Sequence, residues 1–185
     1  MEDILKLKYN NNNIIVAKYK ELDLSYMDKI MELQSIIIEG LESKELYAPS
    51  KREEFIEVLD SGKIIGYLNE KEELIAMAVY VKKGYDAGNY GYDLEFKDEK
   101  LLKVAQVEST VVRSEYRGNG LQRILCEKIE EIAKLDNIKI LAATASPYNK
   151  YSVNTFKNLG YEIKKDKIKY GGLRRYVLAK ELQNK

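Results

Sequence analysis

Residues 111–123 read Val-Val-Arg-Ser-Glu-Tyr-Arg-Gly-Asn-Gly-Leu-Gln-Arg, a β-prone run that breaks at Gly118 and Gly120 and then takes up helical spacing. Neither glycine carries a Cβ, so the backbone there can turn tightly and come close to a ligand. The residues that follow aim the unpaired N–H groups of a helix N-terminus at the same point, where the helix dipole also favours negative charge. The chemistry this suits is binding of a pyrophosphate. A P-loop would need Lys followed by Ser or Thr after the last glycine, and Leu121-Gln122 stands there instead. A dinucleotide fold would place the turn after the first strand, whereas here several strand candidates precede it. Arg117 and Arg123 flank the turn. A guanidinium beside a helix N-terminus is poor dipole chemistry unless an anion is bound, so both are candidate phosphate partners, the alternative being solvated surface arginines.

The residue types that are missing exclude other chemistries. The chain has no histidine and a single cysteine, Cys126. A Ser-His-Asp or Cys-His hydrolase is therefore excluded, and no metal site is expected. Cys126 falls among Leu121, Ile124, Leu125 and Ile129 at helical spacing, which makes it a structural thiol. With 31 basic and 30 acidic residues there is no basic surplus for a nucleic-acid backbone. No apolar run reaches membrane-spanning length and the first residues lack a signal-peptide pattern, so a cytoplasmic protein with no membrane partner is expected.

The elements that position the turn follow from periodicity. Strands are expected over 14–20, 63–68, 74–82, 102–112, 138–144, 161–169 and 173–182, and helices over 24–41, 121–135 and 149–159. Met27, Ile30, Leu33, Ile37 and Leu41 give the first helix its apolar face. Ser50-Lys51-Arg52-Glu53 reads as a capping box opening a short helix that stops at Gly62. Residues 83–100, rich in glycine and tyrosine, read as a long loop that either carries function or merely connects strands in solvent. The order is α/β with a mixed sheet, and 185 residues without repeat or linker make a single domain, 1–185, with enough core to need no staples.

The stretch 112–125 resembles the acyl-coenzyme-A-binding motif of the GNAT acetyltransferase superfamily, with Arg117, Gly120 and Gln122 in the defining places. Gln122 departs from the family's Gly or Ala, and its larger side chain has to point away from the pyrophosphate. A second stretch downstream, Ser146 to Ser152 and then Phe156-Lys157-Asn158-Leu159-Gly160-Tyr161, is similar to that family's later motif. The resemblance covers nearly the whole chain. It implies a mixed, mostly antiparallel central sheet flanked by helices and splayed at the cofactor-binding strand.

It further implies acetyl transfer from acetyl-coenzyme A to a small-molecule or peptide amine by direct attack in a ternary complex. Thr110, Val111 and Val112 would line the pantetheine arm, and Gly118, Asn119, Gly120, Leu121, Gln122 and Arg123 would surround the pyrophosphate through main-chain N–H groups. Asn149 would touch the cofactor and cap the helix that follows. A neutral amine requires a base, and Glu108 is the candidate. It lies in an apolar strand run two residues before Thr110, so alternation sets it on the face of Thr110 and Val112, where desolvation would raise its pKa. The alternative is an exposed carboxylate on a half-solvated strand. Gln106, where histone-type members carry a glutamate, cannot act as a base. Phe156 stands where many members have a proton-donating tyrosine, with Tyr148 and Tyr151 nearby. The acceptor would enter between residues 40–50, with Glu42, Glu45 and Tyr47, and residues 85–98, with Tyr85, Asp86, Tyr90, Tyr92, Asp93 and Glu95, the alternative being an ordinary solvated surface. Loss of catalysis would leave an acyl-coenzyme-A-binding sensor or partner module instead. A monomer or a homodimer is expected, residues 173–182 being an edge strand available for pairing.

Overall fold

A computed structural model of the chain describes residues 3–9 and 13–183. Among these residues eight strands form one sheet: β1 (Ile4–Tyr9), β2 (Asn13–Leu22), β3 (Gly62–Asn69), β4 (Leu74–Val81), β5 (Val104–Val112), β6 (Ile140–Ala145), β7 (Glu162–Lys169) and β8 (Leu173–Glu181). Their spatial order is β1-β2-β3-β4-β5-β6-β8-β7. Every neighbouring pair is antiparallel except β5–β6, the one parallel pair. Helices α1 (Met27–Glu39), α2 (Arg52–Ser61), α3 (Leu121–Leu135) and α4 (Lys150–Asn158) complete the domain. No helix among the described residues is long and apolar enough to cross a membrane.

Helices cover both faces. On one, Ile30 and Leu33 of α1 and Phe55 of α2 pack against Ile64, Met77 and Val79. On the other, Leu125, Cys126 and Ile129 of α3 and Phe156 of α4 pack against Ala76, Ala78 and Val107. Fully burying an aliphatic side chain such as Ile30 contributes about 1.5–3 kcal/mol. All eight residues of β4 are buried, as expected of a strand sandwiched between two helical layers. Cys126 is fully buried, and burial pushes its thiol up to about 12. The thiol is therefore a packing group.

Three expectations need correction. β1 was not expected; its pattern of lysines between Ile4, Leu5 and Leu7 buries only Leu7 fully. The asparagine run Asn10–Asn13 is turn-prone, and its Asn10–Asn12 part lies outside the described residues. The box at the start of α2 is displaced by one residue: Glu54 Oε2, not Glu53, reaches back, to the Lys51 amide at 2.6 Å. Ser50 gives its own amide to Gln34 Oε1 at 2.9 Å. Finally, β8 is no edge strand, because it lies between β6 and β7. The free edges are β1 and β7, and β7 blunts its edge with exposed charged residues such as Lys164 and Asp166.

Asn149 caps α4, its Oδ1 accepting the Ser152 amide at 3.1 Å. Asn149→Ala should lower unfolding free energy by about 1 kcal/mol, read from urea denaturation midpoints at unchanged slope.

Candidate active site

Backbone geometry makes the first part of the site. Gly118 and Gly120 have φ of +82° and +72°, left-handed values that favour glycine, and an added Cβ at either would meet nothing within 4 Å. The constraint is therefore conformational and not steric. Gly120 is the N-cap of α3. Among the described residues, none of the six amides from Gly118 to Arg123 donates to a protein acceptor. Unpaired main-chain donors clustered at a helix N-terminus form an anion site. The side chains around them divide the remaining work. Asn119 turns its side chain away, accepting from the Lys8 amide at 2.8 Å and donating to Lys8 O at 2.9 Å. Gln122 Nε2 reaches across to Ser152 Oγ at 3.0 Å, so it joins α3 to α4. Arg123 pairs along its helix with Glu127 at 3.5 Å, an exposed contact of little energy. Arg117 is exposed and has no carboxylate within ion-pair range among the described residues.

The second part is a split in the sheet. β5 and β6 pair from Val104↔Ile140 to Val107↔Ala143 and then part. Beyond that point β5 stays with β4 and β6 stays with β8, leaving the facing edges open. A groove of 1390 Å³ follows the split from the glycine turn to the loop between α1 and α2. It is lined by Glu108, Thr110, Val111, Val112 and Asn149, and by every candidate of the glycine turn except Asn119.

The alternation assumed for β5 fails at a bulge. Met77 pairs with Val111 but Val79 pairs with Glu108, so β5 carries one extra residue, and Ser109 takes φ of +45°. Glu108 thus shares the α1/α2 face with Val79 and Val111, while Val112 faces α3. The expected face with Val112 is overturned. Glu108 is half-buried, and its Oε1 accepts from Gln106 Nε2 at 2.5 Å. Gln106, fully buried, also takes the Tyr90 amide on its Oε1 at 2.7 Å. Burial raises the Glu108 carboxyl above its ordinary range, against the lowering by Lys83 and by the hydrogen bond from Gln106.

The far end of the groove is assembled from distant segments. Gln34 of α1 holds the α1–α2 loop: its Oε1 accepts from the Tyr47 hydroxyl at 3.0 Å and its Nε2 donates to Ser50 O at 2.8 Å. From β8, Arg175, only 3% exposed, donates through Nη1 to Glu45 O at 2.9 Å, while its Nη2 has no hydrogen-bond partner among the described residues. Residues 83–100 are not a solvated connection: Asn89 and Tyr90 are buried, and Leu94 and Phe96 pack with Tyr90 against Val104 and Ile140. Most of the acidic groups expected to greet an amine are spent internally. Asp93 pairs with Lys167 at 2.6 Å and with Lys169, Glu95 with Lys165 at 2.6 Å, and Asp86 accepts the Gly88 amide at 2.7 Å. Of the residues named for that entrance, Glu42, Tyr47 and Tyr90 line the groove.

Among the groove residues that the sequence reading did not single out are Thr144, Tyr170 and Arg175. Tyr170 precedes Gly171-Gly172 at the β7–β8 turn, and nothing local separates it from the other fourteen tyrosines. Phe156 is buried among the α3 and α4 side chains, edge-on to Tyr161 at 5.1 Å, and Tyr148 and Tyr151 are exposed.

A mostly antiparallel sheet, split at one parallel pair, with a donor-rich turn at the mouth of the split, is the architecture of the acetyltransferase fold class. The chain belongs to the acetyltransferase (GNAT) family, whose profile matches residues 27–161. Among solved structures it is similar to the GNAT domain of S. lividans PAT, with TM-score 0.71 and 18% identity over 98% of this chain and 97% of that one. It is also similar to an N-acetyltransferase from Staphylococcus aureus Mu50, with TM-score 0.67 and 15% identity over 90% and 99%. A ribosomal-protein-alanine N-acetyltransferase from Brucella melitensis gives TM-score 0.66 and 17% identity over 89% and 99%. At these identities the likeness is one of fold. No curated protein matched the chain.

Proposed function

We propose that this protein moves an acetyl group from acetyl-coenzyme A to a primary amine, by direct attack while both are bound. The observation that carries the reading is the set of six unpartnered amides, Gly118 to Arg123, at the head of an open strand edge. The diphosphate takes those amides, with Arg117 and Arg123 as charged partners, and Arg117 is the readier of the two because it has no competing carboxylate. The pantetheine arm lies along Thr110, Val111 and Val112 as a substitute strand, and Asn149 stands beside it at the start of α4. The thioester then reaches the closed end of the split, next to Glu108. The bulge frees Ser109 and Thr110 from ladder pairing, and their backbone supplies donors for the carbonyl oxygen as it gains charge.

Glu108, oriented by Gln106, accepts the amine proton directly or through water. The amine, a small molecule or a peptide end, approaches between the α1–α2 loop and Tyr90. Holding both reactants in one groove is itself a large part of the acceleration.

The test is binding and turnover by the purified chain. Calorimetry with acetyl-coenzyme A should give a Kd in roughly the micromolar range. Free thiol should then appear with at least one member of a panel of propylamine, spermidine, a lysine-containing peptide and an alanine-initiated peptide. Binding without thiol release on any of them would favour the second reading, a catalytically silent acyl-coenzyme-A sensor, which the apolar Phe156 supports. Absence of binding would end both.

A further inference from the structure

Alternation along β8 gives two adjacent arginines opposite surroundings. Arg174 is exposed and makes a forked pair with Asp166, through Nε at 3.0 Å and Nη2 at 2.6 Å. Arg175 turns inward and is buried. Its Nη1 donates to two main-chain oxygens, Glu45 O at 2.9 Å and Arg174 O at 2.8 Å. Among the described residues its Nη2 has no hydrogen-bond partner, and no carboxylate comes within ion-pair range, not even that of Glu45. A guanidinium cannot shed its charge as a buried lysine can. Buried charges are as a rule paired, yet the hydrogen bonds of this one all go to neutral carbonyls.

The sheet sets this cation beside the closed end of the split. Ala142 pairs with Gln106 on one side and with Ala179 on the other, so the three share a face. Two residues on, Glu108, Thr144 and Val177 continue that face, and Arg175 follows two residues further along β8. Strands about 4.8 Å apart and a rise of about 3.3 Å per residue put the Glu108 and Arg175 Cα atoms roughly 12 Å apart. Tyr170 stands in that interval: Arg175 Cζ lies 5.9 Å from its ring centre, and its hydroxyl lies 2.9 Å from Thr144 Oγ1. Glu108, Thr144, Tyr170 and Arg175 all line the groove.

We propose that Arg175 holds a carboxylate of the acceptor, so that the substrate is a small amino acid whose amine and acid lie a few bonds apart. This rests on the reading of the groove as an acetyltransferase site with the amine at Glu108. Nη2 is screened from water, so the carboxylate enters by displacing Glu45 O from Nη1. It then takes Nη1 and Nη2 together, in the parallel pair of bonds for which the two planar groups are matched. The exchange favours an acid over its amide. Glu45 O is already a neutral carbonyl, so an amide oxygen gains nothing by replacing it, whereas a carboxylate supplies the missing countercharge.

The test measures thiol release by the full chain with saturating acetyl-coenzyme A and paired acceptors. β-Alanine, γ-aminobutyrate and ε-aminocaproate are each compared with the corresponding carboxamide, as kcat/KM per neutral amine. At the best chain length the acid should exceed its amide by about tenfold or more. Arg175→Met, which keeps an apolar stem, should bring that ratio to about one. Arg175→Lys keeps a charge without the fork and should fall between. Calorimetry with acetyl-coenzyme A shows whether each variant retains its fold and cofactor site.

Equal values for acid and amide at all three lengths in the wild type would overturn the proposal without recourse to a variant. So would an Arg175→Met ratio as high as the wild type's, because Arg175 would then serve to hold the α1–α2 loop and nothing more. Either result, with thiol still released, leaves the acetyltransferase reading standing. No thiol from any acceptor, the earlier panel included, takes down both.

Discussion

Glu108→Gln is expected to lower kcat/KM by about 10²–10³ at pH 7, the range of a lost general base. The substitution keeps the shape and the hydrogen bond from Gln106 possible while removing the proton acceptor. The pH dependence carries the sign. Burial raises the Glu108 pKa, so the carboxylate that does the work is present above that raised value and is lost as pH falls through it. Wild-type kcat/KM should therefore climb with pH through the Glu108 ionisation, superimposed on the slower rise from deprotonation of the amine itself. In the glutamine variant only the amine contribution remains, and the deficit narrows towards high pH. An amine of low pKa, already neutral at pH 7, should narrow it too. Equal profiles for both enzymes across the pH range would remove Glu108 from the chemistry.

Gly120→Val should weaken acetyl-coenzyme A binding by about 30-fold or more, the loss of one or two hydrogen bonds to a charged group. The cause is not crowding, since a Cβ at this position meets open space. A β-branched residue at φ of +72° is strained by about 1–2 kcal/mol, and the chain relieves that strain by rotating the turn. The amides of Gly118 to Arg123 then no longer converge. Because α3 is held by Leu125, Cys126 and Ile129 in the core, the fold should survive with a small drop in urea midpoint. Gly120→Ala should sit between, with the same sign. Calorimetry resolves the series, and an unchanged Kd for Gly120→Val would show that the turn does not bind the diphosphate.

Both residues were visible before any coordinates because their signals are local. The glycines announce a turn by type alone, and the amphipathic spacing after Leu121 announces the helix that follows. Glu108 stood out as a charge within an apolar strand. What periodicity cannot carry is an added residue, so the bulge at Ser109, and with it the facing of Glu108, leaves no mark in the sequence pattern. Nor does local pattern say where a last strand inserts, so the place of β8 between β6 and β7 has no signature in the sequence. Thr144, Tyr170 and Arg175 reach the groove only through contacts between segments far apart in the chain: Tyr170 touches Tyr90 across eighty positions, and Arg175 touches Glu45 across one hundred and thirty. Residues 85–98 misled in the opposite way. Their carboxylates looked available for a cationic guest, yet the lysines that claim most of them lie on β7.

Asn119 gives its main chain and its side chain to different tasks. While its amide belongs to the unpaired set at the glycine turn, its carboxamide imitates a strand residue against Lys8, on the outward side of β1. That is the sheet's open rim, where another copy of the chain could otherwise add by backbone pairing. Tuning the turn for a different carrier would also lift this cover. Gains in ligand tolerance and resistance to self-association should therefore oppose each other in directed evolution of this scaffold.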